Sequence, residues 1–370
     1  MAGKRPIRLL LTGGGTGGHL FPAIATAQEF RRIRPDTEIL FVGTRRKMDT
    51  AALTQYGFNS ESIVSYGVKG KKPAQLIKAV ATLPLSYVQA VRIIKKFCPD
   101  IILGVGGYVT GPVVAAGKSC GIPTVIHEQN SIPGLANRKL GRIVDRVCLS
   151  LPGSDKYFSS GKTVHTGNPI RVNILDLLGK KRIGGILEKP TLLVLGGSQG
   201  AQMVNKLVME AFLLEDRELS SKIHLIHQTG TKDAAKVLEV YARAGIKAEV
   251  KPFFKEMDKV YARTDLLVSR AGATTLSEIA VLGKPAILIP YPYAADDHQT
   301  KNGEYYVQGG GALLYQEKDL SATILAQCIA NLICNPEGLT EMGTAMKKLS
   351  FPDAATKIVA CCLETIDMVN

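Results

Sequence analysis

The chain has 370 residues, 45% of them hydrophobic and none of them tryptophan, which is enough for two ordinary domains with their own cores. Its seven cysteines form no C-x-x-C pair, which fits a reduced cytosolic protein and excludes a disulfide scaffold. The net charge of +14 is lopsided: residues 1–172 hold 24 Lys plus Arg against 9 Asp plus Glu, whereas residues 173–370 hold 22 against 23.

The first half is therefore expected to meet an anion (a phosphorylated substrate, nucleic acid or an acidic membrane), unless the charge only solvates its surface. The basic residues are not interleaved with aromatic stacking platforms, so nucleic acid is not expected. The start, "MAGKRPIRLLL", lacks the apolar core of a signal peptide, and no apolar run approaches the roughly 20 residues of a membrane span.

In chain order, apolar runs predict strands at 7–12, 38–43, 60–65, 101–105, 123–127 and 145–150, with helical stretches at 73–97 and 112–119. After "HTGNPIR" and "GKKRIGGILEKP" the plan restarts with "TLLVLGGSQGA", and strands follow near 223–228, 265–269 and 286–290. Consecutive helices are expected after Asp319. Such alternation predicts two parallel-sheet α/β domains whose ligands bind beyond the carboxyl ends of the strands.

"LLTGGGTGGHLFPAIATA", from Leu10 to Ala27, reads as strand, glycine loop and helix, an arrangement that favours an anion. It is not a dinucleotide loop: Gly13, Gly15 and Gly18 fit G-x-G-x-x-G, but Glu38 stands before the second strand instead of at its end. It is not a Walker A loop either, since His19 and Leu20 replace the required Lys and Ser or Thr.

Gly196, Ser198 and Gly200 fit an esterase elbow, but His224, His227 and His298 downstream lack a triad context. A phosphate contact by Ser198 suits the same residues, and so does a plain tight turn. In "SRAGATTLSEIAVLGKP", Thr275 and Glu278 match a capping box, while Ala273, Thr274 and Thr275 also place small groups and hydroxyls at a strand end and Glu278 suits ribose hydroxyls. "GVGGYVTGP" is a further glycine loop, and Asn130 and Asn137 in "HEQNSIPGLANR" are either ligand amides or turn residues.

In this order "GGTGGHLFPAIA", "GGYVTGP", "HEQNSIPGLANR", "TGNPIR", "GGSQGA", "SRAGATTLSEIA" and "DDHQTKN" resemble the MurG-type glycosyltransferases, over residues 13–302. The resemblance implies a GT-B fold, two Rossmann-like parallel-sheet domains facing across a cleft. Residues 1–172 would form the acceptor and membrane-facing domain, residues 173–350 the UDP-GlcNAc-binding domain, and residues 351–370 a helix packing back on the first. It implies inverting transfer of GlcNAc from UDP-GlcNAc to the MurNAc 4-hydroxyl of lipid I (undecaprenyl-pyrophosphoryl-MurNAc-pentapeptide), forming lipid II. The alternatives are a UDP-sugar 2-epimerase, a glycolipid transferase or a non-catalytic nucleotide-binding module.

Carried over by position, the resemblance implies donor contacts at Thr16, Gly17, Gly18, Asn130, Arg171, Ser198, Phe254, Ala273, Thr274, Thr275, Leu276, Ser277, Glu278 and Gln299. The uracil would lie near Phe254, the ribose at Glu278 and the diphosphate near Ser198 and Ala273 to Thr275. The acceptor diphosphate would meet Gly14, Gly15, Gly106, Gly107 and Tyr108. His298 receives no role.

His19, with an ordinary pKa of about 6.5, is the expected general base, the alternative being a cap or packing residue. No carboxylate cluster resembles a metal cage, so no metal or other tightly bound cofactor is expected, with Mg2+ only a diffusible counterion. A polyprenyl acceptor requires peripheral docking on an anionic membrane, at its cytoplasmic face. Lys72, Leu76, Ile77, Val80 and Leu83 are the expected contacts, against the alternative of an ordinary amphipathic helix. Other cell-wall synthesis enzymes are expected partners.

Overall fold

The computed structural model describes residues 5–44, 47–66, 81–180, 189–196, 201–214 and 218–369. Ser198, Lys72, Leu76, Ile77 and Val80 lie outside the described residues. The chain divides into two compact units, Met1–Arg171 with Phe351–Asn370, and Val172–Ser350.

In the first unit the described strands are β1 (Arg8–Thr12), β2 (Glu38–Gly43), β3 (Asn59–Ser62), β4 (Ile101–Gly104), β5 (Thr124–Glu128), β6 (Arg146–Leu149) and β7 (Thr163–His165), in the spatial order β3-β2-β1-β4-β5-β6-β7. All pairs are parallel, with Leu9 opposite Ile39 on one side and Ile101 on the other. Strand geometry turns successive side chains to opposite faces, and both faces are covered, which is why the central runs are apolar at nearly every position. Leu9 and Leu11 join Ile24, Ala27 and Phe30 of the helix Gly17–Ile33. Leu10 faces the opposite layer with Ile93, Val113 and Val114.

The C-terminal helix Ala354–Val369 places Ile358, Val359, Cys361 and Cys362 in the same core as Leu9 and Leu11. Full burial of Ile358 and Val359 alone stabilises this docking by about 1.5–3 kcal/mol each. The helix Leu83–Phe97 buries Ser86, Ala90, Ile93 and Ile94 on one face. The Ser86 hydroxyl donates to the Val64 carbonyl, and the Gln89 side-chain oxygen accepts the Val64 N–H at 2.8 Å, which ties this helix to the segment after β3.

The second unit repeats the plan with β8 (Thr191–Leu195), β9 (His224–Gln228), β10 (Ala248–Lys251), β11 (Leu266–Ser269), β12 (Ala286–Leu288) and β13 (Ala312–Leu314), in the order β10-β9-β8-β11-β12-β13. Both sheets reverse direction beside their first strand, between β1 and β4 and between β8 and β11, where open α/β sheets bind ligands. Three helices close this half of the chain and its tail, Ala322–Ile333, Pro336–Lys348 and Ala354–Val369.

The structure departs from the sequence reading at sheet edges and at one cap. β7, β10 and β13 were not expected, and β3 ends at Ser62 instead of continuing to residue 65. The expected capping box at Thr275 and Glu278 does not form. The helix Ala273–Val281 has Gly272 as its N-cap, so Thr275 and Glu278 fall inside it.

Candidate functional site

In the first unit, two glycine loops meet at the carboxyl ends of β1 and β4. Gly14 and Gly15 (φ 128° and 89°) and Gly106 and Gly107 (φ 95° and 90°) occupy the left-handed region that only glycine enters cheaply. The loops also need the missing side chains as space: a Cβ on Gly107 would stand 2.6 Å from the Gly14 carbonyl oxygen, and one on Gly106 would stand 2.9 Å from both Cε1 and Nδ1 of His19. The His19 imidazole thus lies against bare backbone.

Its own position is set by the helix start. Thr16 is extended, and its carbonyl accepts the N–H of His19 (3.2 Å) and of Leu20 (3.1 Å), putting the imidazole in the first turn at an end where anionic groups are favoured. Gly17 packs beside the Phe21 ring, and the Arg171 guanidinium lies 4.8 Å from the centroid of that ring. Tyr108 is exposed at the tip of the second loop.

From the last two residues of β5 onward, the segment His127–Asn137 builds a polar layer that reaches the second loop through Gln129 and Val105. The buried carboxylate of Glu128 accepts from Asn130 N–H (2.9 Å), Asn130 Nδ2 (3.1 Å), Gly134 N–H (3.1 Å) and Asn137 Nδ2 (2.8 Å). The amides of Asn130, expected at the donor, and of Asn137, read as a ligand amide or a turn residue, both donate to Glu128.

His127 is fully buried, its Nε2 donating toward Gly167 O (3.1 Å) and Ser150 Oγ (2.9 Å), and its Nδ1 accepting from Gln129 Nε2 (3.2 Å). Burial pushes its pKa down to about 4, helped by the nearby His19 and opposed by the Gly167 carbonyl. Gln129 Nε2 also donates to Val105 O at 2.7 Å, which anchors the residue before Gly106. His127, Glu128 and Gln129 were missed by the sequence reading. The available signal was three polar residues following the buried run "TVI" of a central strand.

In the second unit a cavity of about 780 Å³ opens at the carboxyl ends of β8 and β11. Gly196, Gly272, Thr275 and Gln299 line it, together with Lys206, Lys232, Arg270 and Tyr291. Arg270 is held by Glu317 (2.6 Å) and by the carbonyls of Ile289 (3.1 Å) and Pro290 (2.9 Å), with its guanidinium 5.4 Å from the Tyr291 ring centroid. The Gln299 carbonyl accepts the Tyr291 N–H at 3.0 Å, leaving Nε2 as the donor a ligand can use.

Gln299 follows Asp296 and Asp297, whose φ values of 55° and 54° place two non-glycine residues in the left-handed region. Such strain costs on the order of 1–3 kcal/mol per residue and gathers at functional sites. Thr300 Oγ1 donates to Asp297 at 2.6 Å, and His298 Nδ1 donates to Ala295 O at 2.7 Å, so His298 holds this turn.

Glu278, Leu276, Ser277 and Phe254 are not among the residues that line the cavity. Glu278 is buried one turn beyond Thr275 and accepts from the Tyr261 hydroxyl at 3.1 Å. Leu276 lies in the core with its N–H on Gly272 O, and the Ser277 hydroxyl donates to Ala273 O, so both support the helix. Phe254 is buried with its N–H on the Gln228 side-chain oxygen (2.9 Å) and Lys251 Nζ 5.1 Å from its ring centroid. Lys206, Lys232 and Arg270 add positive charge that the sequence reading did not assign, because isolated cations in "NKL", "TKD" and "SRAG" carry no motif of their own.

One unit thus presents an imidazole against two bare glycine loops, and the other a cationic, hydroxyl- and amide-lined cavity of a size that takes a nucleotide sugar. The class follows: the Glycosyltransferase family 28 N-terminal domain matches residues 9–149 and the Glycosyltransferase family 28 C-terminal domain matches residues 191–358. The chain belongs to glycosyltransferase family 28.

More particularly, it is 57% identical, over 99% of both chains, to the UDP-N-acetylglucosamine--N-acetylmuramyl-(pentapeptide) pyrophosphoryl-undecaprenol N-acetylglucosamine transferase of Desulfotalea psychrophila. It is 44% identical to the enzyme of the same name from a Geobacter species, over 96% of this chain and 95% of that one. The crystal structure of Acinetobacter baumannii MurG superposes with a TM-score of 0.75 at 29% identity, covering 97% of this chain and all of the other. A UDP-N-acetylglucosamine 2-epimerase structure at 14% identity and a TM-score of 0.68 shares the fold alone.

Proposed function

We propose that the chain transfers N-acetylglucosamine from UDP-N-acetylglucosamine to the 4-hydroxyl of the N-acetylmuramyl residue of lipid I, forming lipid II for peptidoglycan synthesis. The observation that carries this reading is the 57% identity over essentially the whole length of a relative with that activity in its name. UDP release that requires lipid I, with a β-linked disaccharide as product, is the expected result. Release independent of the acceptor would instead support an epimerase or a hydrolase.

The first unit supplies the base and the second holds the donor. His19 takes the proton of the 4-hydroxyl as that oxygen attacks the anomeric carbon from the face opposite UDP. The bond to the diphosphate breaks, its electron pair leaves with UDP, and the α-linked donor becomes a β-linked product. Lys206, Lys232 and the amino end of the helix Ala273–Val281 meet the negative charge of the departing diphosphate. In this scheme magnesium acts only as a diffusible counterion.

Glu278 binds the ribose in this scheme. Its replacement by alanine is expected to weaken UDP-GlcNAc binding by more than the roughly 1 kcal/mol of stability lost with one hydrogen bond. Calorimetric titration of the folded variant decides: unchanged affinity removes Glu278 from the donor site.

No described helix is long and apolar enough to cross a membrane. The enzyme works as a peripheral protein on the cytoplasmic face, where its lipid acceptor and neighbouring cell-wall synthesis enzymes lie. At the start of the helix Leu83–Phe97, Leu83, Leu85 and Val88 are 44%, 50% and 45% exposed, a apolar group on the basic half of the chain suited to shallow insertion. Replacing these three by serine is expected to reduce sedimentation with anionic vesicles and lipid I turnover while sparing UDP-GlcNAc affinity. Binding by the wild type is expected to weaken with salt. Undiminished sedimentation of the folded variant would move the membrane face elsewhere.

A further inference from the structure

The first unit holds a second cavity, of about 760 Å³, at the carboxyl ends of β2 and β3. Gly13 and Leu20, which flank the loop and first turn that carry His19, line it together with Thr44, Thr54, Ser60 and Glu61. Its lining mixes apolar side chains, Leu20, Phe41 and Leu53, with hydroxyls and a neutralised acid. Glu61 is paired with Lys96 at 3.0 Å, and Thr44 Oγ1 has no hydrogen-bond partner among the described residues. Among the described lining residues a phosphate would find no cation, and a wholly apolar prenyl chain would strip water from the hydroxyls without replacing their hydrogen bonds. A peptide, with alternating N–H and C=O groups, satisfies such a lining.

We propose that this cavity binds the peptide of the acceptor, an inference that rests on the lipid I reading above. The argument is one of attachment. In an N-acetylmuramyl residue the peptide hangs from the lactyl ether on carbon 3, next to the carbon whose hydroxyl is attacked. With that hydroxyl at His19, the peptide has to depart from the immediate neighbourhood of the loop. Gly13 and Leu20, the latter adjacent to His19 in sequence, open that way into the cavity.

The test uses two acceptors, lipid I with its pentapeptide and the same lipid carrying a lactyl amide without peptide, each followed by UDP release. Thr54→Trp, on the helix Lys47–Gln55, and Ser60→Trp, on β3, fill the cavity from separate elements at exposed positions, and thermal unfolding followed by circular dichroism checks that each variant is folded. The expected result is a fall of about tenfold or more in kcat/KM with the peptide-bearing acceptor and a change within about twofold with the peptide-free one. Equal losses on both acceptors, or no loss on either, would overturn the proposal. So would a loss that follows prenyl length when a short-chain lipid is used, since the cavity would then hold the lipid. If the wild type transfers GlcNAc to neither acceptor, it is the lipid I reading that fails.

Discussion

Replacing His19 by alanine is expected to cut turnover by about 10²–10⁴-fold, which corresponds to roughly 3–5 kcal/mol of transition-state stabilisation, while UDP-GlcNAc still binds. The geometry makes this a sharp expectation. The imidazole stands in the first turn of its helix, and Gly106 leaves room for the ring where any Cβ would come within 2.9 Å of it. Its removal deletes the base and leaves the second unit's cavity untouched. Single-turnover rates with saturating donor check the point, together with calorimetric donor affinity. A variant with near-normal turnover removes His19 from the mechanism, and a variant that loses donor affinity as well points to a role in binding.

Acidification is expected to destabilise both units, because each buries a neutral imidazole. His127 is held down to about 4 by burial, opposed by the Gly167 carbonyl. His227 is held down to about 3 by burial, opposed by Asp233, and it is bonded within the core to Tyr241 Oη and Asn205 Oδ1, each at 3.0 Å. In the unfolded chain both titrate near 6.5, so between that value and the folded one the unfolded state binds more protons. The stability they contribute is therefore complete above about pH 6.5 and is lost as the pH falls toward 4, at up to about 1.4 kcal/mol per pH unit for each group. Scanning calorimetry from pH 7 to pH 5 should show a falling Tm, with a shallower fall in His127→Gln and His227→Gln. A Tm that does not move over this range would contradict the buried neutral state.

The cysteines give a smaller lesson in the same physics. Cys148, Cys361 and Cys362 are buried together where the C-terminal helix meets β6; the contact with Cys361, and then burial, raises the Cys148 thiol well above the ordinary range, and burial raises that of Cys362. They pack as small apolar side chains.

Whatever a local pattern encodes was legible before the fold was known. "RLLLT", "IILG" and "TLLVL" had to be buried strands, because only a strand covered on both faces tolerates apolar residues at every position. The glycines at 14, 15, 106 and 107 had to be loops, and the motifs between residues 13 and 302 carried the family. The edge strands β7, β10 and β13 were illegible because a three- or four-residue edge strand, partly open to solvent, owes its form to its neighbour's backbone and needs no continuous apolar run.

Only the tertiary structure decided the partners. It set His19 against Gly106, nearly 90 positions away in the chain, and gave the amides of Asn130 and Asn137 to Glu128. It also carried Arg270 to Glu317. The first and the last of these contacts depend on the order of the strands in a parallel sheet, whereas those to Glu128 are made within the one loop that leaves β5. That order is fixed by the packing of crossover helices over long stretches of chain, and a local pattern does not record it.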